Sequence, residues 1–165
     1  MQGEIFGNRV VVDVNEGSEL LNKNFGVKKD NKIFLFPEEA LYLTELGKLN
    51  VKYKNKNLNF KGLLSIFKIK DLWSKYLVYK DLRSNGYIPK EALKYGGDFR
   101  VYDKDQSLES HSKWICIVIK DNDVLSPRQL SAIVRVTHTV RKKLLIAIVD
   151  KEDEITYYEL DWIKI

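Results

Sequence analysis

The rhythm of apolar and polar residues changes along the chain and divides it. Residues 4–14, EIFGNRVVVDV, read as strand broken at Gly7 and Asn8, a hairpin signal. Residues 15–17 predict a turn. Residues 25–27 and 32–36 predict two short strands joined by the polar KKDN. Pro37 opens a helix, PEEALYLTELGK, with Glu38 and Glu39 in its first turn, Leu41, Leu43 and Leu46 inward, and Gly47 as its stop. A short strand at 51–53 and a short helix within 58–67 complete a small α+β unit.

A second rhythm begins at Asp71. DLWSKYLVYKDLRSNGY predicts a helix capped by Asp71, with Leu72, Tyr76, Leu77, Tyr79 and Leu82 apolar and Asn85–Gly86 at its end. Gly96 and Gly97 turn the chain into a strand at 99–102. The loop KDQSLES leads to His111 and a strand at 112–120. Residues 126–150 carry the strongest pattern. Ser126, Pro127 and Gln129 mark a helix start. At about 100° per residue, Leu130, Ile133, Val134, Val136 and Val140 gather on one side. Arg128, Arg135, His138 and Lys142 gather on the other. The apolar run 144–149 suits a strand buried on both faces, and DKEDE turns it into a last strand at 155–160. Strand, helix and strand in that order predict a mixed, mainly parallel sheet. The expected fold is α+β to mixed α/β. A small N-terminal α+β domain (residues 1–70) precedes a C-terminal domain (71–165) with a central mixed sheet flanked by helices.

Composition narrows the classes. Apolar residues are 44% and aromatic residues 12%, so a packed core forms and disorder is excluded. The 28 basic against 23 acidic residues give +5, which permits a polyanionic partner. No apolar run approaches the roughly 18 residues that cross a bilayer, so no membrane partner is expected. The N-terminus lacks the apolar stretch of a signal peptide. The single cysteine, Cys116 in WICIVI, reads as a small buried hydrophobe. It excludes an internal disulfide or a Cys-rich zinc site and fits a reducing cytoplasm.

Candidate chemistry is sparse. There is no HExxH, no EF-hand loop, no glycine-rich phosphate loop and no GxSxG elbow. What remains is Tyr102 where a strand opens into a loop, His111 at the far end of that loop, and Lys142 at the end of the basic helix. Tyr, His and Lys suffice to cleave RNA without metal. A ribose 2′-hydroxyl attacks the adjacent phosphate while a base takes its proton, an acid protonates the leaving 5′-oxygen, and a cation stabilises the phosphorane. Histidine, ordinarily titrating near about 6.5, suits the acid. Each residue alone also has an ordinary structural reading, so composition leaves function open.

Several segments together resemble the archaeal tRNA-splicing endonucleases: KYLVYKDLRSNGYIPK, LKYGGDFRVY, the histidine of ESHSKW, and IVRVTHTVRKKLLIAIVD followed by ITYY. FPEEALYLTELGKLNVKY is similar to the family's amino-terminal domain. The resemblance implies a catalytic endonuclease domain over residues 71–165. It implies an enzyme that cuts both splice sites of a bulge–helix–bulge in precursor tRNA, leaving a 2′,3′-cyclic phosphate and a 5′-hydroxyl. No metal or cofactor is implied. The family's base falls on Tyr102, its acid on His111 rather than His138, and its stabilising cation on Lys142. A base-clamping cation falls on Arg135; the second clamp position falls near Tyr157, where no Arg stands. The family also implies dimers that form tetramers, through the carboxy-terminal strand and an acidic docking loop. That loop matches Asp150, Glu152, Asp153 and Glu154. A homotetramer is favoured, with a heterotetramer containing an inert paralogue possible. The alternative function is a non-catalytic RNA-binding or structural subunit of a heteromeric splicing endonuclease.

Overall fold

Alternation folds back on itself at Gly7, whose φ of 58° is one that side chains disfavour. In the computed structural model, which describes residues 1–165, β1 (Gln2–Phe6) and β2 (Arg9–Asp13) form the expected antiparallel hairpin. Residues 15–17 are not a turn. They lie in α1 (Val14–Asn22), which Asp13 caps by accepting from the Asn15 N–H. Gly17 answers to packing: a Cβ there would stand 3.1 Å from both Ile33 and Val12.

Next come β3 (Val27–Lys29), β4 (Lys32–Leu35), α2 (Pro37–Glu45), β5 (Asn50–Tyr53), β6 (Lys56–Leu58) and α3 (Phe60–Ile66). The first expected strand is displaced from 25–27 to β3, and β6 takes the start of the stretch expected as helix. Leu46 is 46% exposed because it caps α2 rather than lying within it; Ala40, Leu41 and Leu43 face the core instead. The six strands are ordered β3-β4-β2-β1-β5-β6, with β1 parallel to β5 and the other pairs antiparallel. Glu39 is fully buried. Its carboxylate accepts the Gly26 N–H at 3.0 Å and the Phe36 N–H at 3.3 Å, which offsets the cost of burying the charge.

The chain divides into two compact units inside α4 (Leu72–Ser84), between Tyr76 and Leu77. The second unit contains β7 (Ile88–Glu91), a 3-10 turn (Leu93–Tyr95), β8 (Phe99–Tyr102), β9 (Trp114–Lys120), α5 (Pro127–Thr139), β10 (Lys143–Val149) and β11 (Ile155–Leu160). Its sheet runs β11-β10-β9-β8-β7. The sheet is mixed but not mainly parallel. Only β9 and β10 are parallel; the other pairs are antiparallel. A parallel pair needs a crossover of a dozen residues or more, and only the α5 connection supplies one. β7 escaped the sequence reading because it contains Pro89. It is an edge strand, so the missing N–H breaks no ladder.

The fold class is α+β, with an N-terminal domain and a C-terminal domain built on a mixed sheet and helices. Leu130, Ile133 and Val134 of α5 pack on Ile117, Leu144 and Ile146. Val136, expected to join them, is 45% exposed, and Thr137 is buried instead. Thr137 lies centrally on that helical face. Its hydroxyl donates to the Val134 carbonyl at 2.8 Å, so its burial costs little. On the opposite sheet face Tyr79 of α4 meets Phe99, ring centroids 6.1 Å apart. Cys116 is wholly buried, and burial pushes its thiol pKa up. No helix is long and apolar enough to cross a membrane.

Candidate active site

The helix that carries the basic residues starts as its sequence dictates. Ser126 Oγ accepts the Gln129 N–H at 3.2 Å, and Gln129 returns an acceptor to the Ser126 N–H at 2.9 Å. Its end differs from the expected stripe. α5 stops at Thr139, Arg141 takes a left-handed φ of 57°, and the Lys142 N–H donates to the Thr137 carbonyl at 2.8 Å. With the Arg141 N–H on the His138 carbonyl at 2.9 Å, this is a Schellman closure. Lys142 therefore lies past the helix, aimed by the closure and not by the seven-residue spacing.

From there the Lys142 ammonium reaches the Ser112 carbonyl at 2.7 Å. That carbonyl follows His111 directly. Burial, and then the nearby Arg100, push the Lys142 pKa below the usual lysine range.

The loop between Tyr102 and His111 is closed at its base. The Lys113 N–H donates to the Val101 carbonyl at 3.0 Å, and the Lys113 ammonium pairs with Asp103 at 3.2 Å. The Lys104 N–H, and then Lys113, hold the Asp103 carboxyl below the usual range. Both partners are substantially exposed, so the ion pair adds little stability; its role is to pin the loop mouth.

Tyr102 ends β8 with 4% exposure. His111 is exposed and makes no protein hydrogen bond. No hydrogen bond joins the three side chains to one another; they are linked through Ser112 and Arg100. Sequence reasoning missed both of these. Arg100 carried a signal, since residues two apart on a strand share a face. Asp103 and Lys113 carried another, as opposite charges just inside and just beyond the candidate pair.

The remaining candidates fall elsewhere. Arg135 is exposed on α5, and its side chain has no hydrogen-bond or ionic partner. Arg128 is exposed about two turns away on the same helix. His138 packs edge-on to Trp162, centroids 4.5 Å apart. With Thr139, Arg141, Lys142, Lys143 and Asp161 it lines an open cavity of about 570 Å³. Tyr157 lies opposite Ala147 in register, on the sheet face away from α5. Its hydroxyl donates to Asp81 at 2.8 Å, and burial and then Asp81 push its pKa up. It is thus committed to α4 and does not clamp with Arg135 within one chain. In the β10–β11 turn, Asp150 accepts the N–H groups of Glu152 and Glu154, both at 2.9 Å. Asp150 shapes the loop, while Glu152, Asp153 and Glu154 are exposed. No group of three or more His, Cys, Asp or Glu side chains is placed to hold a metal ion.

A mixed-sheet domain presenting Tyr, His and Lys around one loop mouth defines a candidate RNA-cleaving domain. Residues 72–157 match the family model "tRNA intron endonuclease, catalytic C-terminal domain", and residues 1–64 match "tRNA intron endonuclease, N-terminal domain". Among relatives called tRNA-splicing endonuclease, one from Pyrococcus horikoshii is 46% identical, covering 87% of this chain and 84% of the relative. One from Thermococcus kodakarensis is 42% identical over 96% of this chain and 95% of the relative. One from Methanococcus vannielii is 38% identical, covering 95% and 91%. This chain belongs to the tRNA intron endonuclease family, and the tRNA-splicing endonuclease function follows at that level.

Proposed function

We propose that this chain cleaves precursor tRNA at both splice sites of a bulge–helix–bulge by 2′-hydroxyl attack, without a metal ion. Tyr102 as phenolate takes the 2′-hydroxyl proton. The O2′–P bond forms and the P–O5′ bond breaks. His111 as imidazolium gives its proton to O5′. Lys142 stabilises the charge that builds on the phosphoryl oxygens in between. The products are a 2′,3′-cyclic phosphate and a 5′-hydroxyl. The observation that carries this reading is the 2.7 Å bond from Lys142 to the Ser112 carbonyl, which ties the cation to the residue beside His111 on the loop that opens at Tyr102. Arg135, exposed on α5 with an unpaired side chain, clamps a bulge base, a contact worth about 1–3 kcal/mol.

Two cuts at fixed separation call for more than one copy of the site. β11 supplies an edge strand open on one side, and Glu152, Asp153 and Glu154 supply an exposed acidic loop shaped by Asp150. The proposed assembly is a homotetramer built through dimers, acting in the cytoplasm, whose reducing environment suits the free Cys116. The deciding experiment is cleavage of a synthetic bulge–helix–bulge RNA by His111→Ala. The variant should bind the RNA and fail to cut it. Full activity would remove His111 from the mechanism. Wild-type cleavage should survive EDTA, and its complete loss would point to a metal instead.

A further inference from the structure

Arg100 lies two residues before Tyr102 on β8, so both side chains leave the same face of the sheet. The guanidinium carbon lies 5.8 Å from the Tyr102 ring centroid. It is close enough to Lys142 to disfavour that second cation. Two positive groups are thus held near each other, and no carboxylate pairs with either. The Arg100 side chain makes no hydrogen bond or ion pair, and its buried Nε has no partner. The only hydrogen bond of the Lys142 ammonium is to the Ser112 carbonyl.

The surroundings add positive charge. Lys90 is opposite Arg100 in register on β7 and is 3% exposed. Arg100 lines a cavity of about 300 Å³ with Glu91, Ala92, Leu93, Lys94 and Tyr95. Lys90 and Glu91 have interactions of their own. An unpaired, partly desolvated guanidinium beside an ammonium is disfavoured in the protein alone. Its charge and planar donors match an oxyanion with two acceptor oxygens.

We propose that Arg100 is a further catalytic residue, whose guanidinium donates to a non-bridging oxygen of the phosphate that Lys142 also contacts. The inference rests on the proposed roles of Tyr102, His111 and Lys142. As O2′ attacks, charge grows on the non-bridging oxygens, and two fixed cations stabilise it more than one. The guanidinium already stands beside the Tyr102 ring before substrate binds, and a cation placed in advance needs little reorganisation as charge develops.

The test is single-turnover cleavage of a bulge–helix–bulge RNA by wild type, Arg100→Gln and Arg100→Lys. The scissile phosphate is either normal or one of its two phosphorothioate diastereomers. Arg100→Gln should slow cleavage of the normal RNA about 100-fold while RNA affinity stays nearly constant, and Arg100→Lys should recover part of the rate. Sulfur at one of the two oxygens should slow wild type and no longer slow Arg100→Gln. Equal sulfur effects in both proteins, or a wild-type rate for Arg100→Gln, would overturn the proposal. If the Gln variant does not fold, the same sulfur comparison on Arg100→Lys decides. His111→Ala run alongside separates the two readings. An active His111→Ala sinks the triad, whereas an inactive one without sulfur coupling at Arg100 sinks only the Arg100 role.

Discussion

At the residue scale, Lys142 joins backbone geometry to the proposed chemistry. The Schellman closure sets its direction, and Ser112 receives its ammonium. Its pKa is lowered, first by burial and then by Arg100. The charged form is therefore lost, as pH rises, below the ordinary lysine value of about 10.4. If its charge stabilises the phosphorane, wild-type kcat should fall on the alkaline side within that lowered range. Lys142→Arg keeps its charge throughout. Its alkaline fall should move upward, at a maximal rate about 10- to 100-fold lower because the longer fork misplaces the donor. A pH–rate profile for both proteins checks this, and coincident alkaline limbs would mean that another group sets the decline. Tyr102, His111 and Lys142 stand out in the sequence as candidates because their types fit one reaction. Arg100 shares a strand face with Tyr102 by alternation alone, but only the tertiary fold brings it near Lys142.

At the element scale, the turn that leads into β8 packs against β9 at Gly97, which has little room for a side chain. A Cβ on Gly97 would stand 2.4 Å from Ile115 Cγ2 and 3.2 Å from the Cys116 carbonyl oxygen. The second atom is backbone in a central strand and has little room to yield. Gly97→Ala should cost about 1–3 kcal/mol, the usual range for overpacking. The change should appear as a lower denaturant midpoint with an unaltered slope. An unchanged midpoint would mean that the strands separate there without cost. The helix capping signals read correctly because they are local: Ser126 and Gln129 need only each other. The turn expected at residues 15–17 failed because Gly17 answers to Ile33 and Val12, which are distant or on another strand. β7 was hidden because whether Pro89 is tolerated depends on edge position, which is a property of the whole sheet.

At the scale of the whole molecule, the basic residues near Lys142 and the acidic β10–β11 turn are separate surfaces. The proposed tetramer assigns RNA to the first and a neighbouring subunit to the second. Replacing Glu152, Asp153 and Glu154 by their amides should leave the chain folded and reduce its mass in solution from tetramer to dimer. The loop is exposed, and its shape depends on Asp150, which is retained. Light scattering of the purified chain reads this. A wild-type chain that is monomeric yet cuts both splice sites would defeat the assembly, as would a variant that remains tetrameric.

The sequence alone determined the family resemblance, most element types and the start of α5. These rest on residue identity and on spacing within one or two turns. The tertiary structure decided what depends on neighbours far apart in the chain. It made the second sheet mixed rather than mainly parallel, because only one connection is long enough to cross over. It buried Thr137 in place of Val136. It moved Lys142 off the helix face and onto the Ser112 carbonyl, because a left-handed Arg141 closes α5 before it. It also left Arg100 unpaired beside Tyr102 and Lys142, since strand alternation and the chain's return through α5 together choose which charges share a face.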